Sequence, residues 1–402
     1  MKAITEVTII DGTGDEPIPE GVILIDEDGK IVDCGGIEEV DILDGAEVKD
    51  FPGCTVMPGL IDAHVHLGLK PVADPIGKLK DEPPARTAAR MLKHARRTIE
   101  AGVTAVRDMG CKDFADVAVK NSIEAGEHPG PEILASGHNL AMTGGHGWPM
   151  GEEVDGEHEA RRGARRQIKH GADQIKLMAT GGILTEGVEP GAAQLTEEEM
   201  RAAIEEAHKA GRRAAAHAQG SRGIKNAIRA GIDSIEHGIY LTEEIIEMMM
   251  AEDVFLVPTL SASHWILEKG EKAGIPAHAV EKMEDANESH LRSFRMACSS
   301  GVKIAMGTDA GTPFNEHGAN SQELKFMVQE GMQAMEAVKS ATSRAAELLG
   351  VEDEMGTIKP GKRADLLLLS GNPLEDIENI DKVEKVFLSG RSYLPGEAED
   401  TG

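Results

Sequence analysis

Residues 59–68 read GLIDAHVHLG, and the rest of the chain is arranged around them. An apolar run, Val56–Ile61, interrupted by Pro58, leads into two histidines separated by one residue, His64 and His66. Along a β-strand, residues i and i+2 share a face. The two imidazoles can therefore converge on one point, with Val65 turned the other way. Imidazole is the commonest protein ligand for zinc and related ions. Two solvent-facing histidines at a strand end would give the same spacing, so the reading depends on what the rest of the chain supplies.

Downstream, apolar runs alternate with helical patterns. The runs are VTAVRDMG (103–110), PEILASG (131–137), ADQIKLMATGG (172–182), RRAAAHAQG (212–220), DSIEHG (233–238), VFLVPTL (254–260) and KIAMGTDAG (303–311). Among the helical patterns, ARTAARMLKHARRTIEAG stops at Gly102, and LTEEEMRAAIEEAHKAG has Thr196 as cap, Glu199 three residues on and Gly211 as stop. With the His64 strand this makes eight strand–helix units over about 290 residues. The alternation predicts a parallel α/β sheet, and this number of units fits a closed (β/α)8 TIM-like barrel better than an open sheet. Residues 138–156, rich in Gly and His, read as the one long loop.

The two ends differ from the middle and resemble each other. EVTIIDG, GVILIDEDGKIVDCGG and AEVKDFPGCTVMPG are β-branched runs punctuated by Gly, Asp and Pro. Asp28-Gly29 marks a tight hairpin turn. GTIKPGKRADLLLLSG and KVEKVFLSGRSY have the same character. Residues 1–57 and 353–402 are expected to build one composite β-sandwich domain, leaving 58–352 as the barrel.

Composition sets outer bounds. The 402 residues are 40% hydrophobic and 28% charged, as in ordinary globular proteins, but only 3% aromatic, so the core must be aliphatic and Met-rich. The formal net charge of −28 disfavours nucleic acid or an anionic membrane as partner. Cys34, Cys54, Cys111 and Cys298 form no Cys-x-x-Cys pair and offer no disulfide framework. The start, MKAITEVTIIDG, lacks a long apolar segment. A cytoplasmic enzyme acting on a small molecule is the expectation.

Catalytic groups of such barrels sit at the C-terminal ends of the strands. Those ends carry His64, His66, Lys176, His217, His237 and Asp309. Lys176, between Ile175 and Leu177, would ordinarily be an ion-paired or strand-edge lysine. Modified by carbon dioxide to a carbamate, it becomes an anionic oxygen ligand able to bridge two metals. His217 and His237 could each be structural, and Asp309 a turn residue. Following His-x-His and Lys in order, they read instead as metal ligands.

The ordered set His-x-His, Lys, His, His and Asp resembles the amidohydrolase superfamily in its binuclear-metal subtype. Within it, GLIDAHVHLG, TGGHG, KLMATGG, AHAQG, SIEHG, GTDAG and GKRADLLLLSGNPLEDI are similar to the prolidase-like group of Xaa-Pro dipeptidases and carboxypeptidases. The resemblance implies two divalent ions, expected to be zinc. His64, His66 and Asp309 would hold one, His217 and His237 the other, and N-carboxylated Lys176 would bridge them. It implies hydrolysis of amide bonds in Xaa-Pro or Xaa-hydrophobic dipeptides or N-acyl amino acids, with Asp309 moving the proton. His146 in TGGHG would bond the developing oxyanion and Tyr240 in EHGIY the substrate carboxylate; His138 is an alternative to His146. Arg107-Asp108 is read as a packing or salt-bridge pair that could stand behind the site, and His264 as a residue that could line the pocket. His94, His158, His170 and His208 are expected at the surface. A homo-oligomer is expected.

Two other readings compete. A cyclic amide hydrolase of the imidazolonepropionase kind would use a single metal and no bridging lysine, which Lys176 opposes. A metal-free structural homologue would have lost ligand positions, and all six are present.

Overall fold

The structure, a computed structural model, describes residues 1–393. The last nine residues of the expected composite domain, 394–402, lie outside the described residues.

Both ends of the chain meet in one seven-stranded mixed sheet. Its order is Arg391–Tyr393, Val383–Leu388, Leu366–Leu369, Glu47–Pro58, Lys2–Ile9, Ile18–Ile25, Ile31–Gly36. The expected hairpin joins the last two, with Gly29 at φ 79° in the turn where a Cβ would strike Ser389. The run Leu366–Leu369 is buried on both faces. Leu366 and Leu368 pack with Ile4, Ile23 and Val56 in the core of this sheet. Leu367 and Leu369 face the opposite way, into the main core. Four consecutive leucines thus tie the terminal sheet to the rest of the molecule, as a strand with two apolar faces should.

The middle of the chain is parallel α/β. Leu60–Val65, Val103–Asp108 and Glu132–Ala135 form a three-stranded parallel sheet. A second parallel sheet runs Phe255–Val257, Ser234–His237, Arg213–Ala218, Gln174–Met178, Asn139–Ala141, Gly151–Glu153. The expected eighth strand is not a regular strand. Segment 303–310 makes isolated parallel bridges, Ile304 to Leu256 and Ala310 to Val65. Backbone bonds from Ala63 N to Met306 O (2.8 Å) and from Asp309 N to His64 O (2.7 Å) hold it beside the first strand. It therefore joins the two sheets on one side. Stretch 138–156, read as a loop, contains two three-residue strands and a 3-10 turn, Trp148–Met150.

Helices cover these strands as their periodicity requires. Pro84–Glu100 buries Thr87, Met91, His94, Ala95, Thr98 and Ile99, a stripe at helical spacing. Glu197–Lys209 starts with the capping box of Thr196 and Glu199. Among the described residues, no helix is long and apolar enough to cross a membrane.

Candidate active site

A cavity of about 310 Å3 opens at the C-terminal ends of the parallel strands. His64, His66, Lys176, His217, His237 and Asp309 all line it, and so does His146. Strand register brings them together. Lys176 lies opposite Ala215, two residues before the Met178–His217 pair, and His237 lies opposite Ala218. The lysine thus sits lower in the sheet than His217 and His237, which lie on the next two strands to one side of it.

Hydrogen bonds decide which ring nitrogen each histidine offers. His64 Nδ1 is 2.7 Å from Glu236 Oε2, and His66 Nδ1 is 3.4 Å from Gly110 O. A carboxylate or a carbonyl can only accept, so both rings carry their proton on Nδ1. Their Nε2 lone pairs then point at Asp309 Oδ1, at 3.5 and 3.4 Å. Three electron-rich atoms facing each other repel unless a cation lies among them. Among the described residues, these side chains form the group able to hold a metal ion, with ligand atoms within 4.8 Å of one another. His237 Nδ1 bonds Thr259 Oγ1 at 2.7 Å, and that hydroxyl also donates to Pro258 O at 2.7 Å. Its one proton is used, so it accepts from His237, whose Nε2 is again free. His217 is reversed: its Nε2 is 2.9 Å from Gly181 O, so Nε2 donates and Nδ1 keeps the lone pair. The His217 and His237 ring centroids are 4.6 Å apart.

Lys176 is 1% exposed, and its Nζ has no hydrogen-bond partner. Burial lowers its pKa to about 8, and burial raises Asp309 to about 8. Asp309 Oδ1 is likewise without a hydrogen-bond partner. A bare ammonium among histidines is costly. A divalent cation would satisfy the converging histidine lone pairs and the Asp309 carboxylate together. The donor set therefore fits a metal centre.

Backbone strain marks the same place. His237, Thr259 and Asp309 hold φ of 72°, 54° and 58°. Non-glycine residues stay there only when their surroundings hold them.

Of the residues behind the ligands, the sequence reading offered Arg107 but missed Glu236 and Asp62. Glu236, 0% exposed, bonds His64 through Oε2 and receives Arg107 Nη2 (2.9 Å) and Ser234 Oγ (2.6 Å) at Oε1. Neighbours in a regular strand face opposite sides; the left-handed turn at His237 lets both Glu236 and His237 reach the site. Asp62 accepts from His64 N (3.0 Å), Thr308 Oγ1 (2.6 Å) and Asn320 Nδ2 (2.7 Å), fastening the first strand to the turn before Asp309. Arg107 does not pair with Asp108, which instead accepts from Leu67 N and Gly110 N.

Other expectations divide. His146 lines the cavity, with its ring centroid 4.2 Å from His217 and its Nδ1 2.7 Å from Thr185 Oγ1. His138 stacks on Phe114 and accepts from Asp113 N, away from the cavity wall. Ile239 lines the cavity; Tyr240 beside it is not itself a lining residue but packs, half-buried, against the apolar cluster that includes the cavity residues Ile183, Ile239, Ile266 and Met283. His264 lies against Trp265 and Phe326, also off the wall. His94 is buried rather than at the surface: it stacks on His317 and its Nδ1 bonds Leu67 O at 2.9 Å. Its place on the 87–91–94–98 stripe was the available signal. His158, His170 and His208 are exposed as expected.

Known proteins are similar along most of the chain. The amidohydrolase family profile matches residues 55–392. An ochratoxinase from Aspergillus niger is 34% identical over 356 residues, 80% of this chain and 72% of that protein. The crystal structure of a Xaa-Pro dipeptidase with methionine bound in its active site is 35% identical, with TM-score 0.89 over 98% of this chain and 99% of that one. A prolidase complexed with N-methylphosphonate-L-proline is 31% identical, with TM-score 0.90 over 98% and 99%. The family profile spans both the His64 and Asp309 ends of the site, so the fold and the chemistry are inherited together: this is a hydrolytic enzyme, and the chain belongs to the amidohydrolase family.

Proposed function

We propose that this enzyme cleaves the amide bond of small substrates with an apolar substituent: Xaa-Pro or Xaa-hydrophobic dipeptides, or N-acyl amino acids. In this reading the parallel strands form a (β/α)8 barrel over residues 58–352, beside a composite β-sandwich of residues 1–57 and 353–402. The observation that carries it is Lys176, whose buried Nζ lies among the site histidines without a hydrogen-bond partner. An unprotonated amine is the form that adds carbon dioxide, and burial favours that form.

His64, His66 and Asp309 would hold one divalent ion, and His217 and His237 the other. Carboxylated Lys176 would bridge them, with zinc the expected metal. When bound, such ions polarise a carbonyl and bring water toward its hydroxide form at neutral pH. The rest falls to side chains. Asp309 takes the proton from the attacking water and delivers it to the amide nitrogen, which leaves only once protonated. His146, kept neutral because burial lowers it to about 3, can donate a hydrogen bond to the carbonyl oxygen as charge develops there. Leu69, Trp148, Met150, Ile183, Ile239 and Met283 line the cavity and give an apolar side chain a place to bury. The names of the similar proteins, an ochratoxinase, a Xaa-Pro dipeptidase and a prolidase, support the same bond class.

The test is metal content per chain, on protein produced with zinc and bicarbonate, together with a panel of Xaa-Pro, Xaa-Leu and Xaa-Arg dipeptides. Two ions and turnover of Xaa-Pro or Xaa-Leu are expected. One ion and no dipeptide turnover would refute the bridging role of Lys176 and the substrate class.

A further inference from the structure

Glu323 is a fully buried carboxylate that the chemistry above does not use. It lies in the first turn of helix Gln322–Gln329 and reaches across to a different helix, Leu260–Lys269. There it accepts from Leu260 N (2.7 Å), Ser261 N (2.7 Å) and Ser261 Oγ (2.6 Å). The first N–H groups of a helix lack partners within it. An ordinary threonine before the helix would satisfy one of them with its own hydroxyl. Thr259 occupies that position and makes no such bond.

Its hydroxyl is committed elsewhere, to His237 Nδ1 and Pro258 O. To reach them Thr259 takes φ 54°, a rare conformation for a β-branched residue. A second brace holds the same turn: His290 Nε2 lies 2.8 Å from Pro258 O, and its Nδ1 bonds Ser263 Oγ. The capping duty that Thr259 gives up is the one Glu323 performs.

We propose that Glu323 is a positioning residue for the second metal site. By capping helix Leu260–Lys269 from outside, it frees the Thr259 hydroxyl to fix the tautomer and direction of His237. The inference rests on His237 being a metal ligand, as proposed above.

The full-length protein is loaded with zinc and bicarbonate and equilibrated in metal-buffered solutions. Zinc per chain, kcat, KM and Tm are then measured for wild type, Glu323→Gln, Glu323→Asp and Thr259→Val. Glu323→Gln should bind one zinc as wild type does and the other about 10–100-fold more weakly, the usual cost of losing an outer-shell partner. At subsaturating zinc kcat should fall with occupancy while KM stays within about twofold, and Glu323→Asp should recover part of the loss. Thr259→Val should share the zinc defect, and the double variant should be no worse than either single one. Wild-type affinity for both ions in Glu323→Gln, whatever its Tm, would reduce Glu323 to a helix cap and overturn the proposal. Should that variant not fold, undiminished zinc binding by Thr259→Val overturns it instead. A wild type that never binds two ions overturns the metal reading and this inference with it.

Discussion

Arg107→Met tests the buried network behind His64. Arg107 is 1% exposed and its guanidinium makes three bonds: Ala63 O at 2.6 Å, Ser234 Oγ at 3.2 Å and Glu236 Oε1 at 2.9 Å. Methionine fills much of the same space but supplies no donor. Glu236, 0% exposed, would keep Ser234 and His64 but lose its cation, with no solvent to replace it. Removing one partner of a buried pair costs about 3–5 kcal/mol, against a total stability of about 5–15 kcal/mol. The variant should fold with a much narrower margin. Lysine should rescue poorly, because it lacks the fixed fork that serves three acceptors. The assay is urea unfolding with a metal chelator present, for wild type, Arg107→Met, Glu236→Gln and the double variant. The double variant should lose less than the sum of the singles, by about 1–3 kcal/mol. A loss under about 1 kcal/mol in Arg107→Met, or strict additivity, would refute the pairing as the source of stability.

Three further outcomes are expected. Lys176→Ala should lose at least about 100-fold in kcat/KM, since even outer-shell changes at metal sites cost 10–100-fold; Lys176→Arg should do no better, as a guanidinium forms no carbamate, and steady-state kinetics with zinc and bicarbonate decide this. Met283→Ala should raise KM about tenfold for apolar dipeptides with little change in kcat, because each lost apolar contact is worth about 1–3 kcal/mol of binding; equal loss across polar and apolar substrates would remove Met283 from the specificity wall. Glu206, held to about 2 by Arg165, Arg161 and Lys209, has a folded-state pKa below its unfolded value. Its contribution is therefore complete above the unfolded carboxylate pKa and is lost as pH falls toward 2. With Arg165 and Lys209 largely exposed, Glu206→Gln should cost about 1–2 kcal/mol at pH 7 and clearly less near pH 3.5, measured by urea unfolding.

What could be read directly was whatever local spacing encodes. His64 and His66 share a face because a strand has period two. Thr196 and Glu199 cap a helix because their side chains reach each other's backbone. Asp28-Gly29 turns because glycine tolerates positive φ. The six residues at strand ends were legible because each closes an apolar run before a turn, and all six line the same cavity.

What local spacing could not encode is contact between distant segments. Glu236 was hidden because strand alternation puts it opposite His237, and only the left-handed backbone at His237 lets both reach the site. Arg107 sits next to Asp108 in sequence, yet across the sheet its charge is answered by Glu236, 129 residues away. Tyr240 has a suggestive place in the sequence, yet Ile239 before it lines the cavity while Tyr240 packs against the apolar cluster behind that wall. Which nitrogen each histidine offers was equally beyond sequence, since it follows from the acceptor at the other nitrogen: Glu236 for His64, Gly110 for His66, Thr259 for His237 and, with the opposite result, Gly181 for His217. Sequence determined which residues come to the strand ends; the packing of partners from remote strands and helices decided how each presents its lone pair or its charge.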